Sequence, residues 1–283
     1  MELWYTEEPS ENTRFSVRVN RQLCSVQTPF QRIDILESGE VGRFLTLDGQ
    51  IMLTEKDEFI YHEMMVHVPM AVNPGIQNVL VIGGGDGGSV RELTRYGGVK
   101  HIDLVEIDKM VVDACREYLP QTACKLDDPR VTLHFEEGLR FVRTEENAYD
   151  LILVDSTDSF GPGEELFTKE FYGNCYKALT ENGILVNQHE NPYHEKYVHS
   201  MKSANQHLTD FFPVCRTYLA HAPTYPFEHL LFGFASKKYD PLDFDAAGWN
   251  RLGLRTKYYN TDIHTGSFAL PNDIRELLAG NDR

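Results

Sequence analysis

Residues 78–88, NVLVIGGGDGG, run from an apolar stretch into a loop of five glycines around one aspartate, Asp86. SVRELTRY (89–96) follows with helical spacing, so the segment reads as strand, glycine loop, helix. Such a loop turns backbone N–H groups and a helix N-terminus toward a ligand. A glycine turn needed only for strand–helix packing would look similar, so the neighbourhood has to decide. The aspartate is the informative residue, because it would repel a pyrophosphate.

The same alternation continues downstream. HIDLVEI (101–107) precedes KMVVDACREYL (109–119), VTLHF (131–135) precedes GLRFV, and YDLILVD (149–155) precedes LFTKEFYGNCYKAL (166–179). GILVNQ (183–188) leads to a helix over about 194–210, and two last strands fall near 214–220 and 229–235. Apolar strands alternating with helices predict an α/β fold with a mostly parallel sheet covered on both faces. Ahead of it, DEFIYHEMMVHV (57–68) reads as a helix stopped by Pro69. FSVRV (15–19), FQRIDIL (30–36), VGRFLTL (41–47) and QIMLT (50–54), the last two joined at Asp48-Gly49, predict a small antiparallel β domain. The expected division is 1–54 for this β domain and 55–283 for the α/β domain.

In open α/β sheets, ligands bind beyond the carboxyl ends of the strands, near the change in strand order. Glu106 stands at the second such end, 18 residues past Gly88, where a carboxylate can accept both ribose hydroxyls of an adenosine. Glu136-Glu137-Gly138 occupies the third, within reach of an adenine amino edge. The fourth carries Asp155-Ser156-Thr157-Asp158. Asp86, Glu106, Glu137, Asp155 and Asp158 are thus expected in one crevice. No Lys or Arg lies within these short motifs, and clustered carboxylates are costly unless a cation joins them. A nucleoside with cationic ends and no phosphate points to S-adenosylmethionine chemistry. Asp86 would repel the methionine carboxylate, so the decarboxylated form, with its ammonium tail, suits the loop better.

The whole chain limits the alternatives. A net charge of −16 over 283 residues disfavours nucleic acid as a partner. No apolar run approaches the roughly 20 residues that span a bilayer, and MELWYTEEPS has no apolar core of a secretory signal. Five scattered cysteines without a CxxC pair favour reduced thiols, hence a cytoplasmic location, over a disulfide frame or zinc site.

DEFIYHEMMVHVP, VIGGGDGGSVRE, VEID, LDDPRV, VDSTDSFGPGEELFTKEFY and PTYP resemble the polyamine aminopropyltransferases, and among them the bacterial spermidine synthases; the likeness runs from LWYTE to YYNTDIHTGSFALP. The resemblance implies a methyltransferase-like Rossmann domain beside the small β domain, assembled as a homodimer or homotetramer. It implies transfer of the aminopropyl group of decarboxylated S-adenosylmethionine, a co-substrate, to a diamine, with 5′-methylthioadenosine released and no metal or prosthetic group. By motif position, Gln31, Gly83, Gly85, Glu106, Glu137, Gly138 and Pro162 would hold the nucleoside. Asp86 would bind the aminopropyl ammonium, Asp155 would be the base, and Tyr61, His62, Asp158, Gln188 and Tyr225 would line the diamine site. Putrescine is the expected acceptor, with cadaverine and agmatine as alternatives.

Departures from the family pattern sit beside the acceptor: Ser159 replaces a usual proline, and His189-Glu190 follows Gln188. GPGEELFT (161–168) reads either as a lid that orders over bound ligands or as ordinary loop chemistry. Two rival functions are a methyltransferase on the same fold and a non-catalytic nucleoside or polyamine-binding protein. Asp86 and the β domain speak against the first, and an intact Asp155 against the second.

Overall fold

The structure is a computed structural model, and it describes residues 2–156, 161–189, 192–193, 195–225 and 229–279. The N-terminal part contains six strands in two antiparallel sheets. β1 (Leu3–Ser10) pairs with β2 (Thr13–Val19), and β3 (Arg21–Gln27), β4 (Arg32–Ser38), β5 (Gly42–Leu47) and β6 (Gln50–Thr54) form a four-stranded sheet in sequence order. The sequence pattern predicts four of these and one sheet. β1 and β3 escaped it because most of their residues stay exposed or half-buried, so no apolar alternation marks them.

Helix α1 (Glu58–Val72) follows and is buried along almost its whole length. It continues one turn past Pro69, where the sequence suggests a stop. Proline removes one backbone donor, but the next turn still closes through Asn73 N–H to the Pro69 carbonyl at 3.0 Å. Burial on all sides outweighs the lost bond.

The remainder is built on β7 (Asn78–Gly83), β8 (His101–Val105), β9 (Val131–His134), β10 (Tyr149–Asp155), β11 (Leu179–His189), β12 (Val214–His221) and β13 (His229–Ser236). Their order is β12-β13-β11-β10-β7-β8-β9, with β13 the one strand running against the rest. Helices α2 (Gly88–Leu93), α3 (Lys109–Tyr118), α4 (Pro120–Ala123), α5 (Gly138–Arg143), α6 (Lys169–Ala178) and α7 (Glu195–Phe211) connect them. Three C-terminal helices, α8 (Ala246–Arg251), α9 (Thr261–Ser267) and α10 (Asn272–Leu278), have too few apolar repeats to stand out in the sequence.

Side chains alternate across the sheet. Val79, Val81, Leu151, Leu153, Ile184 and Val186 pack toward α1 in one core. Leu80, Ile82, Ile152, Val154 and Leu185 pack with Phe171, Tyr172 and Cys175 of α6 in another. This is the α/β fold with a mostly parallel sheet and an N-terminal antiparallel part that the sequence predicts. The order reverses between β7 and β10, where Gly83 lies in register with Asp155. No helix among the described residues is long and apolar enough to cross a membrane.

Candidate active site

At that reversal the glycine loop and Asp155 meet. Gly83 and Gly84 adopt φ values of +82° and +68°. A Cβ on Gly83 would stand 2.1 Å from the Asp155 carbonyl oxygen, and one on Gly84 2.7 Å from Asp155 Oδ2. Only glycine allows both the left-handed turn and this approach. The loop therefore brings its aspartate beside a second one.

Each carboxylate is fixed through one oxygen. Asp86 Oδ1 accepts from Gly88 N–H at 2.8 Å and forms an ion pair with His62 Nε2 at 3.2 Å. Asp155 Oδ2 accepts from the Ser89 hydroxyl at 2.6 Å. Burial pushes the Asp155 carboxyl above the usual range, and the neighbouring Asp86 charge adds to the effect. Burial acts on Asp86 in the same sense, yet His62 and the Gly88 N–H outweigh it and hold Asp86 below its ordinary value. His62 is itself raised well above the ordinary histidine value: burial opposes its charge, but Asp86 and Glu58 flank it and prevail. Its Nδ1 lies 2.7 Å from Glu58 Oε2.

The ligating atoms of His62, Asp86 and Asp155 lie within 4.8 Å of one another. That spacing could suggest a metal, but each His62 nitrogen faces a carboxylate, an arrangement that favours a proton on each over a metal at either. Asp86 and Asp155 thus present two carboxylates to the same cleft. Tyr61 lies against Asp155, and burial together with that carboxylate holds its hydroxyl well above the usual tyrosine value.

Glu106 follows β8 and faces Gly85 of the loop. Glu106 Oε1 accepts from Asp108 N–H at 2.9 Å, and burial raises its carboxyl to about 7. Asp108 in turn accepts from the Thr28 hydroxyl at 2.7 Å and from Gln31 Nε2 at 3.4 Å. Gln31 thus joins the N-terminal sheet to the Glu106 loop. Glu137 stands before α5, and the facing Glu165 carboxylate raises it. A Cβ on Gly138 would lie 2.4 Å from Ile82 Cγ2, so the backbone there packs directly on the strand.

One cleft gathers Gln31, Tyr61, His62, Gly83, Gly85, Asp86, Glu106, Glu137, Gly138, Asp155, Gln188 and Tyr225, every predicted site residue but two. Asp158 lies outside the described residues, as does Ser159. Pro162 falls in a 3-10 segment, Gly161–Phe167, beside the cleft. The Tyr225 hydroxyl donates to the Met52 carbonyl, so it is spent on backbone while the residue still lines the cleft. Thr224 beside it donates to Asp57 Oδ1 at 2.6 Å through its hydroxyl and to Oδ2 at 2.8 Å through its N–H.

Sequence reasoning missed Glu58, Arg91, Ser89, Asp57 and Asp108. Ser89 could have been suspected as the first hydroxyl after the glycines. Glu58 and Arg91 look like ordinary solvated helix charges until the fold buries them together.

The comparisons agree with this geometry. Residues 58–246 match the spermine/spermidine synthase domain model, and residues 3–55 match the spermidine synthase tetramerisation domain model. The chain belongs to the spermine/spermidine synthase family. It is 68% identical over 282 residues to a polyamine aminopropyltransferase of Clostridium perfringens (strain 13), covering 100% of both chains. To that of Alkaliphilus oremlandii it is 67% identical, covering 98% of each. A spermidine synthase crystallised with the transition state analogue AdoDATO superposes with a TM-score of 0.95 at 42% identity, covering 98% of this chain and 95% of that one. The spermidine synthase of Thermotoga maritima gives 0.92 at 41%, covering 98% and 94%. The protein is therefore an aminopropyltransferase of polyamine biosynthesis, as its sequence motifs suggest.

Proposed function

We propose that this enzyme is a spermidine synthase: it transfers the aminopropyl group of decarboxylated S-adenosylmethionine to putrescine, giving spermidine and 5′-methylthioadenosine. The observation that carries the reading is the pairing of Asp86 and Asp155 in one cleft, each anchored through a single oxygen. In this reading Glu106 accepts the ribose hydroxyls, while Gln31, Glu137 and the Gly83, Gly85 and Gly138 backbones frame the nucleoside. Asp86 takes the aminopropyl ammonium. Tyr61, Gln188 and Tyr225 line the acceptor side, and Asp158 and Pro162 take roles that rest on the resemblance alone.

The sulfonium activates its neighbouring carbon, so the residues have to supply a neutral amine in line with it. An alkylamine resembling lysine has a pKa of about 10.4, and freeing its lone pair at pH 7 costs roughly 4–5 kcal/mol. Asp155, made more basic by its surroundings, takes that proton. The amine nitrogen then forms the new C–N bond as the C–S bond breaks, and the sulfur leaves with the electron pair as a neutral thioether. Asp155 shares the work with positioning, since a carboxylate is a weak base for an amine.

The reading extends to a cytoplasmic enzyme with a β domain over 1–54 and a catalytic domain over 55–283. The match of residues 3–55 to a tetramerisation model supports a homodimer or homotetramer. A second acceptor, cadaverine or agmatine, is kept open because the His189-Glu190 departure falls beside Gln188.

Methylthioadenosine release from decarboxylated S-adenosylmethionine, measured with putrescine, cadaverine, agmatine and spermidine, tests the whole reading. Release with putrescine that falls about 10²–10⁴-fold in Asp155→Asn is the expected result. Preference for another amine renames the acceptor. No release with any amine, while the nucleoside still binds, ends the enzymatic reading.

A further inference from the structure

From Asp86 a row of charges runs through His62 and Glu58 to Arg91, and the proposed chemistry gives Glu58 and Arg91 no part. Glu58 opens α1 and accepts Arg91 of α2 with both oxygens, Nη1 to Oε1 at 2.8 Å and Nη2 to Oε2 at 2.9 Å. Oε2 also faces His62 Nδ1 at 2.7 Å, and His62 Nε2 faces Asp86 Oδ1 at 3.2 Å. Side-chain exposures along the row are 17% for Arg91, 5% for Glu58, 3% for His62 and 14% for Asp86. Gly88 makes room for the imidazole: a Cβ there would stand 2.2 Å from His62 Cε1.

With His62 protonated, signs alternate along the row: Arg91 positive, Glu58 negative, His62 positive, Asp86 negative. Buried carboxylates and imidazoles normally shed their charge, and only alternation of this kind lets all four keep it. Asp86 Oδ1 is fully engaged, whereas Oδ2 has no hydrogen bond among the described residues.

We infer that Glu58 and Arg91 are positioning residues that hold the His62 imidazolium against Asp86 Oδ1, which keeps Asp86 charged and leaves its Oδ2 for the ligand. The inference rests on the reading of Asp86 as the seat of the donor ammonium. It changes the part taken by His62, which acts on the donor through Asp86 and makes no contact with the diamine of its own. The groups facing His62 are Glu58 on its own helix, Asp86 from the glycine loop and Asp155 from β10, while Arg91 of α2 reaches it only through Glu58.

The test is histidine NMR of the unliganded full-length protein across about pH 6–9, the window in which ordinary histidines lose their proton. His62 is expected to keep both ring N–H protons through that range. A His62 that is neutral near pH 7 overturns the inference, and this measurement needs no variant.

Glu58→Gln adds the functional side. In it, His62 is expected to lose its proton inside the window, and the donor KM to climb about tenfold per pH unit above that point. The kcat at saturating donor should move much less. Rescue follows the charge, so Glu58→Asp is expected to stay closer to the parent profile. A loss that is the same at every pH, or no loss, marks Glu58 as merely structural and overturns the inference. Failure of all amines to release methylthioadenosine would sink the proposed reaction and leave the His62 titration standing on its own.

Discussion

Two buried histidines line the cleft, His62 on α1 and His189 at the end of β11, and each is 2% exposed. Equal burial has not given them equal proton affinities, which shift in opposite directions. His62 stands between Glu58 and Asp86 and is raised well above its ordinary value. No acid among the described residues answers the burial of His189, which is pushed down to about 4. Its Nδ1 accepts from Asn187 Nδ2 at 3.2 Å, and its Nε2 has no partner among the described residues. The α1 wall thus favours a charged ring, and the β11 wall a neutral one. A histidine's neighbours, more than its depth, decide what it contributes.

The largest effect should come from removing the acid that divides the walls. Asp86→Asn takes a charged partner from the donor ammonium, a contact worth about 1.5–3 kcal/mol. The donor KM is expected to rise at least tenfold, with the acceptor KM changed little. Initial-rate kinetics with each substrate varied in turn checks it, and an acceptor effect as large would dissolve the distinction between the walls.

A smaller effect is expected on the neutral wall. Gly233 pairs with Asn187, and a Cβ there would come within 2.3 Å of Asn187 Oδ1 and 2.7 Å of His189 Cε1. Gly233→Ala should destabilise the fold by about 1–3 kcal/mol, the usual cost of overpacking. Urea denaturation reads it, and a neutral result would mean that this wall yields easily.

The smallest effect separates the two histidines by slope. An unfolded histidine titrates near 6.5. His62 binds its proton more tightly when folded, so its stabilisation is complete below about 6.5 and is lost as pH rises through its higher folded value. His189 binds more weakly when folded, so stability falls as pH drops from about 6.5 to about 4. Melting temperatures of His62→Gln and His189→Gln, each compared with the parent protein, should therefore diverge in opposite directions with pH. Parallel curves would place both rings in the same state.

Much of the site was legible because its residues occupy strand ends. Asp86, Glu106, Glu137 and Asp155 each follow an apolar run, and a parallel sheet sends all such ends to one edge. The resemblance added Gln31, Tyr61, His62, Gln188 and Tyr225, which come from elements whose placement no periodicity reveals. The supporting charges stayed hidden for a physical reason. Glu58 and Arg91 are 33 positions apart and become partners only when α1 packs on α2. β1 and β3 were missed because edge-like strands with exposed side chains carry no alternation. Pro69 misled because a proline stops an isolated helix more surely than a buried one.

The junction between the N-terminal sheet and α1 has a consequence for anyone recombining this chain with its relatives. Asp57 receives the Thr54 hydroxyl from one side and Thr224 from the other, and the Tyr225 hydroxyl reaches the Met52 carbonyl. Residues 52–57 and 224–225 are one latch contributed by two distant parts of the sequence. A chimera cut after residue 54 would inherit half of that latch from each parent. The crossover that keeps parental stability carries positions 224 and 225 along with the N-terminal sheet, so the natural unit of exchange is discontinuous in sequence.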